Sequence, residues 1–196
     1  MSRPGTIHLA LHGLDGVSER LRSEVVVIVR QEFEPLVREA GVTLVLTTGR
    51  AAGDLNMDFD TTSPPAKACN PITILGEDAG QSVWVRAHQN LRVCGVMNPK
   101  TGKQDTRRFL TTDWLLGRAL ANTTLHELGH FIADLDHTGD QANYMFTTGI
   151  PREQRSLRTQ RQVWAGAKTF TPDQRGKIVQ QLKVKQWLGD FTIEGQ

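Results

Sequence analysis

The sequence predicts an α+β protein, in which a mixed, mostly parallel sheet carries two long helices and precedes a small lobe with a last helix. In the first part of the chain, short β-branched segments alternate with a long segment of helical periodicity. Two more helical segments follow a middle part that is rich in turn residues. A strand, a helix and a second strand in succession favour parallel pairing through a right-handed crossover.

The first three elements form this βαβ unit. Residues 6–11 predict a short strand, residues 20–40 a long helix, and residues 42–48 a second strand that is β-branched and apolar. Ser18 is a suitable N-cap for the helix, and Gly41 is a suitable residue just beyond its end.

Pro35 lies inside the first helical segment. Proline removes a backbone donor and clashes with the preceding turn, so the helix either kinks at Pro35 or ends near Phe33.

The middle of the chain predicts further strands joined by loops. The short apolar runs are residues 55–59, 72–75, 83–87 and 91–97. Residues 98–108 predict an exposed loop.

The rest of the chain predicts two helices. Asp113 caps the central helix, which continues to about Phe131 or Ala133. Residues 134–169 predict irregular structure, and a final helix runs from Thr171 to about residue 187, with proline in its first turn.

The bulk properties exclude several classes of protein. A chain of 196 residues fits one domain, with an upper lobe at residues 1–133 and a lower lobe at 134–196. With 38% hydrophobic and 22% charged residues, the composition is that of a globular protein rather than a disordered or fibrous one. No apolar run reaches the roughly 20 residues of a membrane helix, and the N-terminus has no signal-peptide pattern. We therefore expect a cytoplasmic or non-classically exported protein.

The charges and cysteines indicate less. A net charge of +2 indicates no polyanionic partner, so no nucleic acid is expected. Two basic clusters are of a kind that usually lies on solvated faces; they are Lys100, Lys103, Arg107 and Arg108, and then Arg152, Arg155, Arg158 and Arg161. Cys69 and Cys94 allow either one disulfide or two thiols.

The segment His126-Glu127-Leu128-Gly129-His130 carries the clearest chemistry. Residues four apart share one face of a helix, so both imidazoles can bind one metal ion. Glu127 borders that ion without binding it, and can take a proton from metal-activated water and deliver it to a leaving amine. The alternative is a chance match on a helix whose histidines only form hydrogen bonds.

The stretch from His126 to His137, followed by Met145, resembles the active-site region of the metzincin clan, especially the matrixins and the bacterial snapalysins. The clan's pattern is His-Glu-x-x-His-x-x-Gly-x-x-His followed by a methionine turn. The resemblance implies a zinc metallopeptidase with a twisted sheet, an active-site helix and a lower lobe with a last helix. The motif covers about a tenth of the chain. The predicted order of helices and strands agrees with that of the clan over nearly the whole chain.

The third ligand departs from the pattern. Ala133 stands where the clan has glycine, and Asp136 where it has the third histidine. Asp136 is the ligand if the site is similar to that of snapalysins. If one residue is inserted in the turn, as a matrixin-like site requires, His137 is the ligand. We favour His137, because its distance of eight positions from Met145 resembles matrixins and imidazole is the better zinc donor. Asp134 is a third alternative if the helix continues by another turn.

Two further expectations concern the surroundings of the zinc. Tyr144-Met145-Phe146 resembles the methionine turn, which implies an apolar floor beneath the ion. The alternative is a buried methionine in an ordinary loop, which fits the same residue type. By resemblance, residues 147–151 would line a substrate pocket. Residues 83–87 are a candidate edge strand for pairing with an extended substrate, and the alternative is an interior strand.

The leading function is therefore a zinc-dependent endopeptidase that acts on a peptide or protein substrate, with Glu127 as general base. One alternative is a metal-binding effector without turnover. Another is an endoribonuclease with three histidines on a similar helix, but such enzymes have glycine after the first histidine, and Glu127 argues against them.

Overall fold

A computed structural model describes residues 5–48, 55–59, 78–79, 82–85, 112–146 and 157–184. The strands in these ranges are β1 (Thr6–His12), β2 (Thr43–Thr47), β3 (Leu55–Phe59), β4 (Asp78–Ala79) and β5 (Ser82–Val85). The helices are α1 (Glu19–Glu39), α2 (Asp113–Ala133), α3 (Leu157–Ala165) and α4 (Pro172–Val184). The chain is therefore mixed α and β, as the sequence predicts.

The strands form one sheet in the order β2-β1-β3-β5-β4. All neighbours are parallel except β4 and β5, so the sheet is mixed and mostly parallel. β1, α1 and β2 form the predicted βαβ unit. β5 lies between β3 and β4, where β4 pairs with Ser82 and Val83. Val83 is therefore interior, which agrees with the alternative of an interior strand, and residues 86–87 lie outside the described residues.

The core lies between one face of the sheet and the helices. Alternate residues of β1, namely Ile7, Leu9 and Leu11, are fully buried, because successive side chains of a strand point to opposite faces. They belong to one hydrophobic cluster with Val29 and Phe33 of α1.

Helix α1 begins as predicted and continues through its proline. The Leu21 N–H donates to the Ser18 hydroxyl at the N-terminus, and Gly41 has a positive φ just beyond the C-terminus. The helix runs past Pro35 to Glu39, so the alternative that ends it near Phe33 is wrong. Pro35 lies in the last two turns, and the buried residues around it keep this end of the helix packed on the core.

Helix α2 begins one residue earlier than the predicted cap implies. Thr112, not Asp113, is the N-cap, and its hydroxyl accepts a hydrogen bond from the Leu115 N–H. The helix ends at Ala133, within the predicted range. It packs against α1, α3, α4 and β5, which places it at the centre of the described part of the molecule.

Helix α3 lies in the stretch that the sequence analysis assigned to irregular structure. The prediction of irregular structure across all of residues 134–169 is therefore wrong. Val163, Trp164 and Ala165 are buried at the end of this helix, against α2. The expectation of irregular structure rests on Gly139, Gly149 and Pro151 as helix breakers, but all three precede this helix.

Several predictions lie outside the described residues. They concern the strands at residues 72–75 and 91–97, the loop at 98–108, the pocket at 147–151, both cysteines and the end of the last helix. Among the helices that the structure describes, none is both long enough and apolar enough to cross a membrane.

Candidate metal centre

Three histidines meet beside the C-terminal half of α2. His126 and His130 lie one turn apart on this helix, and His137 lies in the segment that follows it. Their Nε2 atoms are 3.0 Å apart between His126 and His130, and 3.1 Å apart between His130 and His137. The third side of the triangle, from His137 to His126, is 3.3 Å. The three side chains are therefore close enough to bind one metal ion.

The triangle fits the donor geometry of such an ion. Zn–N bonds of about 2.0–2.1 Å at tetrahedral angles place ligand nitrogens about 3.3 Å apart. The Nδ1–H of His126 donates to the Tyr144 carbonyl oxygen at 2.7 Å, which leaves a lone pair on Nε2. The His130 ring hydrogen-bonds the Leu135 backbone.

The electrostatics keep two of these imidazoles neutral. Burial is the main reason that the pKa of His126 falls to about 4, and the neighbouring histidines lower it further. Burial also lowers the pKa of His130, and His137 adds to this effect. Since a metal binds only neutral imidazole, both residues are ready to bind at pH 7 without first losing a proton.

The chain reverses direction immediately after α2. Asp134 has φ 48° and ψ 47°, the left-handed conformation, and is the only described residue other than glycine with a positive φ. Its N–H donates to the His130 carbonyl, and the Leu135 N–H donates to the Gly129 carbonyl. Leu135 is buried beside the helix. The reversal therefore occurs one residue after Ala133 and returns the chain towards the histidines.

The two aspartates considered as alternative ligands lie on the surface. Asp134 forms the reversal itself, and both Asp134 and Asp136 are exposed. Within the described residues, the group whose ligand atoms lie close enough together for a metal ion contains the three histidines and neither aspartate.

Glu127 is half-buried on α2, directly after His126. It projects about 100° around the helix from that histidine. Leu125 and Leu128 are buried and hold this part of α2 in the core.

Met145 lies directly beneath the helix, between the turns that carry the histidines. It is fully buried, and a Cβ atom placed on Gly129 would stand 2.6 Å from its Sδ atom. Phe170 and Leu135 are nearly as close to that position. Only glycine at position 129 allows this close approach. The sequence analysis did not identify this role, although a glycine in a helix interior costs about 1 kcal/mol and so indicates a packing reason.

Backbone carbonyls of the same turn orient the His126 ring and hold the backbone beside His137. The Tyr144 carbonyl accepts from His126, and the Met145 carbonyl accepts from the Thr138 N–H at 2.9 Å, next to His137. The turn thus packs beneath the histidines through Met145 and forms hydrogen bonds to the site through its carbonyls.

The turn is itself held by Asn143 and by the start of α4, through residues that the sequence analysis missed. The Met145 N–H donates to Oδ1 of Asn143, and Nδ2 of Asn143 donates to Oε1 of Gln174. Gln174 Oε1 also accepts from the Thr171 N–H, and the Gln174 N–H donates to the Thr171 hydroxyl. This reciprocal pair is a capping box. The Thr-x-x-Gln spacing is visible in the sequence, but its link to Asn143 is not.

Lys168 adds a charged contact to the turn. Its Nζ donates to the Gln141 carbonyl at 2.7 Å, and burial lowers its pKa to about 8. The ammonium also lies 5.4 Å from the centre of the Phe146 ring, within the range of a cation–π contact.

Comparison of the chain with protein-family models gave no match, and comparison with curated proteins gave none either.

Proposed function

We propose that the protein is a zinc-dependent endopeptidase, in which His126, His130 and His137 hold the ion and Glu127 is the general base. The observation that carries this proposal is the convergence of three Nε2 atoms within 3.3 Å beside a helix that also bears a glutamate. The resemblance of the sequence to the metzincin clan supports the same function.

The donor set favours zinc. Three imidazole nitrogens suit Zn²⁺, whereas Mg²⁺ and Ca²⁺ prefer oxygen ligands. Three protein ligands are also the number typical of catalytic zinc, since a structural site is closed by a fourth. Zinc bound in this way lowers the pKa of its water to about 7 and polarises a substrate carbonyl.

The chain supplies the acid–base chemistry. Glu127 follows His126 on the helix, so its carboxylate borders the ion without being one of the three ligands. We assign it two tasks: removing a proton from the attacking water, and delivering that proton to the leaving amine. The Tyr144 carbonyl keeps the His126 ring in one tautomer.

The test is a paired measurement of metal content and peptide hydrolysis. Protein purified without chelator is expected to contain about one zinc ion per chain and to cleave an unfolded protein substrate. Removing the metal abolishes cleavage, and added zinc restores it. Cleavage that survives full metal removal would refute the proposal. A full complement of zinc without cleavage would favour the metal-binding effector instead.

A further inference from the structure

The turn beneath the histidines is held through its backbone carbonyls. Residues 141–145 carry five carbonyls in succession, and each of them accepts a hydrogen bond. In chain order, the donors are the Lys168 ammonium, the Thr169 N–H, the Lys168 ammonium again, the Nδ1–H of His126 and the Thr138 N–H. Lys168 thus serves two of the five carbonyls, and it does so from outside the turn and outside the histidine motif.

The peptide group that joins Asn143 to Tyr144 is held at both ends. Its N–H donates to the Thr169 carbonyl at 3.2 Å, and its carbonyl accepts from Lys168 Nζ at 3.4 Å. A peptide group is planar, so these two contacts fix the orientation of the whole group. The next peptide group along the chain presents the Tyr144 carbonyl to His126. The contacts of residues 168 and 169 therefore restrict the direction in which that carbonyl can point.

The Lys168 side chain is half-buried against the turn. Its shorter hydrogen bond, of 2.7 Å, is to the Gln141 carbonyl, and its ammonium also lies over the Phe146 ring. Burial lowers its pKa to about 8, so the group still carries its charge at pH 7. Hydrogen bonds from a charged donor are stronger than those between neutral groups. Losing this side chain would remove the donor of the Gln141 carbonyl and loosen one end of the turn.

We propose that Lys168 is a positioning residue of the metal centre. It holds the turn so that the Tyr144 carbonyl keeps the proton of His126 on Nδ1 and directs Nε2 towards the other two histidines. The inference rests on the metal centre of the proposed function and does not depend on peptide hydrolysis.

Positioning and charge predict opposite effects of Lys168 on metal binding. The positive charge of Lys168 acts on His126, where it disfavours a second positive charge, and it would repel a metal ion for the same reason. If this repulsion were the main effect, removing the charge would tighten zinc binding. If Lys168 acts through the turn, removing it weakens zinc binding. The sign of the change therefore separates the two roles.

The first measurement is the tautomer of His126 in the metal-free protein at neutral pH. Nuclear magnetic resonance of protein labelled with ¹⁵N-histidine distinguishes a protonated ring nitrogen from an unprotonated one, and the signals that His126→Gln removes are those of His126. We expect the Nδ1–H tautomer in the wild type. In Lys168→Met, which has a similar length but no donor, the Nε2–H tautomer should reach at least about a fifth of the population. This measurement requires neither zinc nor hydrolysis.

The second measurement is zinc affinity, by competition with a chromogenic chelator. Lys168→Met should weaken zinc binding about tenfold, at the lower end of the usual effect of residues that support a ligand. Lys168→Arg keeps the charge and the donors, so its affinity should stay within about threefold of the wild type. Lys177→Met removes an exposed lysine of α4 and is the matched control, which should change neither the tautomer nor the affinity.

Three results would overturn the inference. One is a wild-type His126 tautomer in Lys168→Met, whatever the stability of that variant. Another is unchanged or tighter zinc binding by Lys168→Met, and the third is equal weakening by the Lys177→Met control. Lys168→Gln, which is one bond shorter and uncharged, tests the same contacts if Lys168→Met does not fold. Zinc binding without peptide cleavage would contradict the proposed endopeptidase and leave the role of Lys168 intact.

Discussion

A single hydrogen bond determines which nitrogen of His126 faces the other two histidines. Because Nδ1 donates to the Tyr144 carbonyl, Nε2 is the atom that joins the other two histidines. The tautomer is therefore set by the backbone of a turn 18 residues further along the chain. The spacing of the motif brings His126 and His130 together, and the distant carbonyl turns the His126 ring towards the other two histidines.

Glu127→Gln tests the acid–base role at this scale. The amide cannot accept the proton, so we expect peptide hydrolysis to fall by at least about 100-fold while zinc remains bound. Hydrolysis rates and metal content are measured on the same preparation. His126→Ala is the comparison, since it should lose the metal as well as the activity. If Glu127→Gln retains full activity, the general base is another residue.

His137→Ala and Asp136→Asn form a matched pair for the third ligand. We expect His137→Ala to lower zinc affinity by more than about 100-fold, which exceeds the usual effect of changing a residue that only supports a ligand. Asp136 is exposed and outside the histidine group, so its variant should keep the metal. Competition with a chromogenic chelator measures both affinities. The reverse result would establish the snapalysin-like site.

Among the helices and strands, those predicted correctly have their signals within a few neighbouring residues of the sequence. The ends of α1 and the pairing of β1 with β2 follow from a cap, a glycine and alternating apolar residues. His126 and His130 could be matched because one helical turn joins them. The position of His137 depends on a reversal at Asp134, a residue type that tolerates left-handed backbone without the usual glycine. Helix α3 is amphipathic and could have been recognised locally, whereas the Asn143–Gln174 bond joins residues 31 positions apart and depends on tertiary contacts.

Gly129→Ala tests the contact between α2 and the turn beneath it. The added Cβ would stand 2.6 Å from the Met145 sulfur, so we expect a loss of about 1–3 kcal/mol in the free energy of unfolding and weaker zinc binding. Gly176→Ala is the control, because Gly176 is an exposed residue of α4 and nothing lies within 4 Å of the added atom. That change should stabilise the protein by about 0.5–1 kcal/mol. Chemical denaturation compares the two, and equal effects would contradict the close approach.

In the molecule as a whole, α2 packs against helices that come before it and after it in the described part of the chain. It contacts α1, α3 and α4, and it carries His126 and His130 in its second half. Protonation of the histidines is therefore expected to change the free energy of unfolding of the whole protein. This can be measured by unfolding the protein at several pH values.

The metal-free protein should lose stability in acid. The pKa of His126 is about 4 in the folded protein and 6.5 as its ordinary value, so between these pH values the unfolded chain binds a proton that the folded one does not. On account of His126, the free energy of unfolding should fall by up to about 3 kcal/mol as the pH decreases from 6.5 to 4, and this contribution stays level above pH 7. Urea denaturation of the chelated protein at several pH values measures this. His126→Gln should reduce the slope, and an unchanged slope would contradict the assignment.

The side-chain oxygen of Gln174 has a further consequence, because it accepts hydrogen bonds from both Thr171 and Asn143. When the first turn of α4 frays, Asn143 loses its partner and the Met145 amide loses the geometry of its acceptor. The amide hydrogens of Met145 and Thr171 should therefore exchange with solvent in one opening event, although they are far apart in the sequence. The last helix then controls how often the floor beneath the histidines opens.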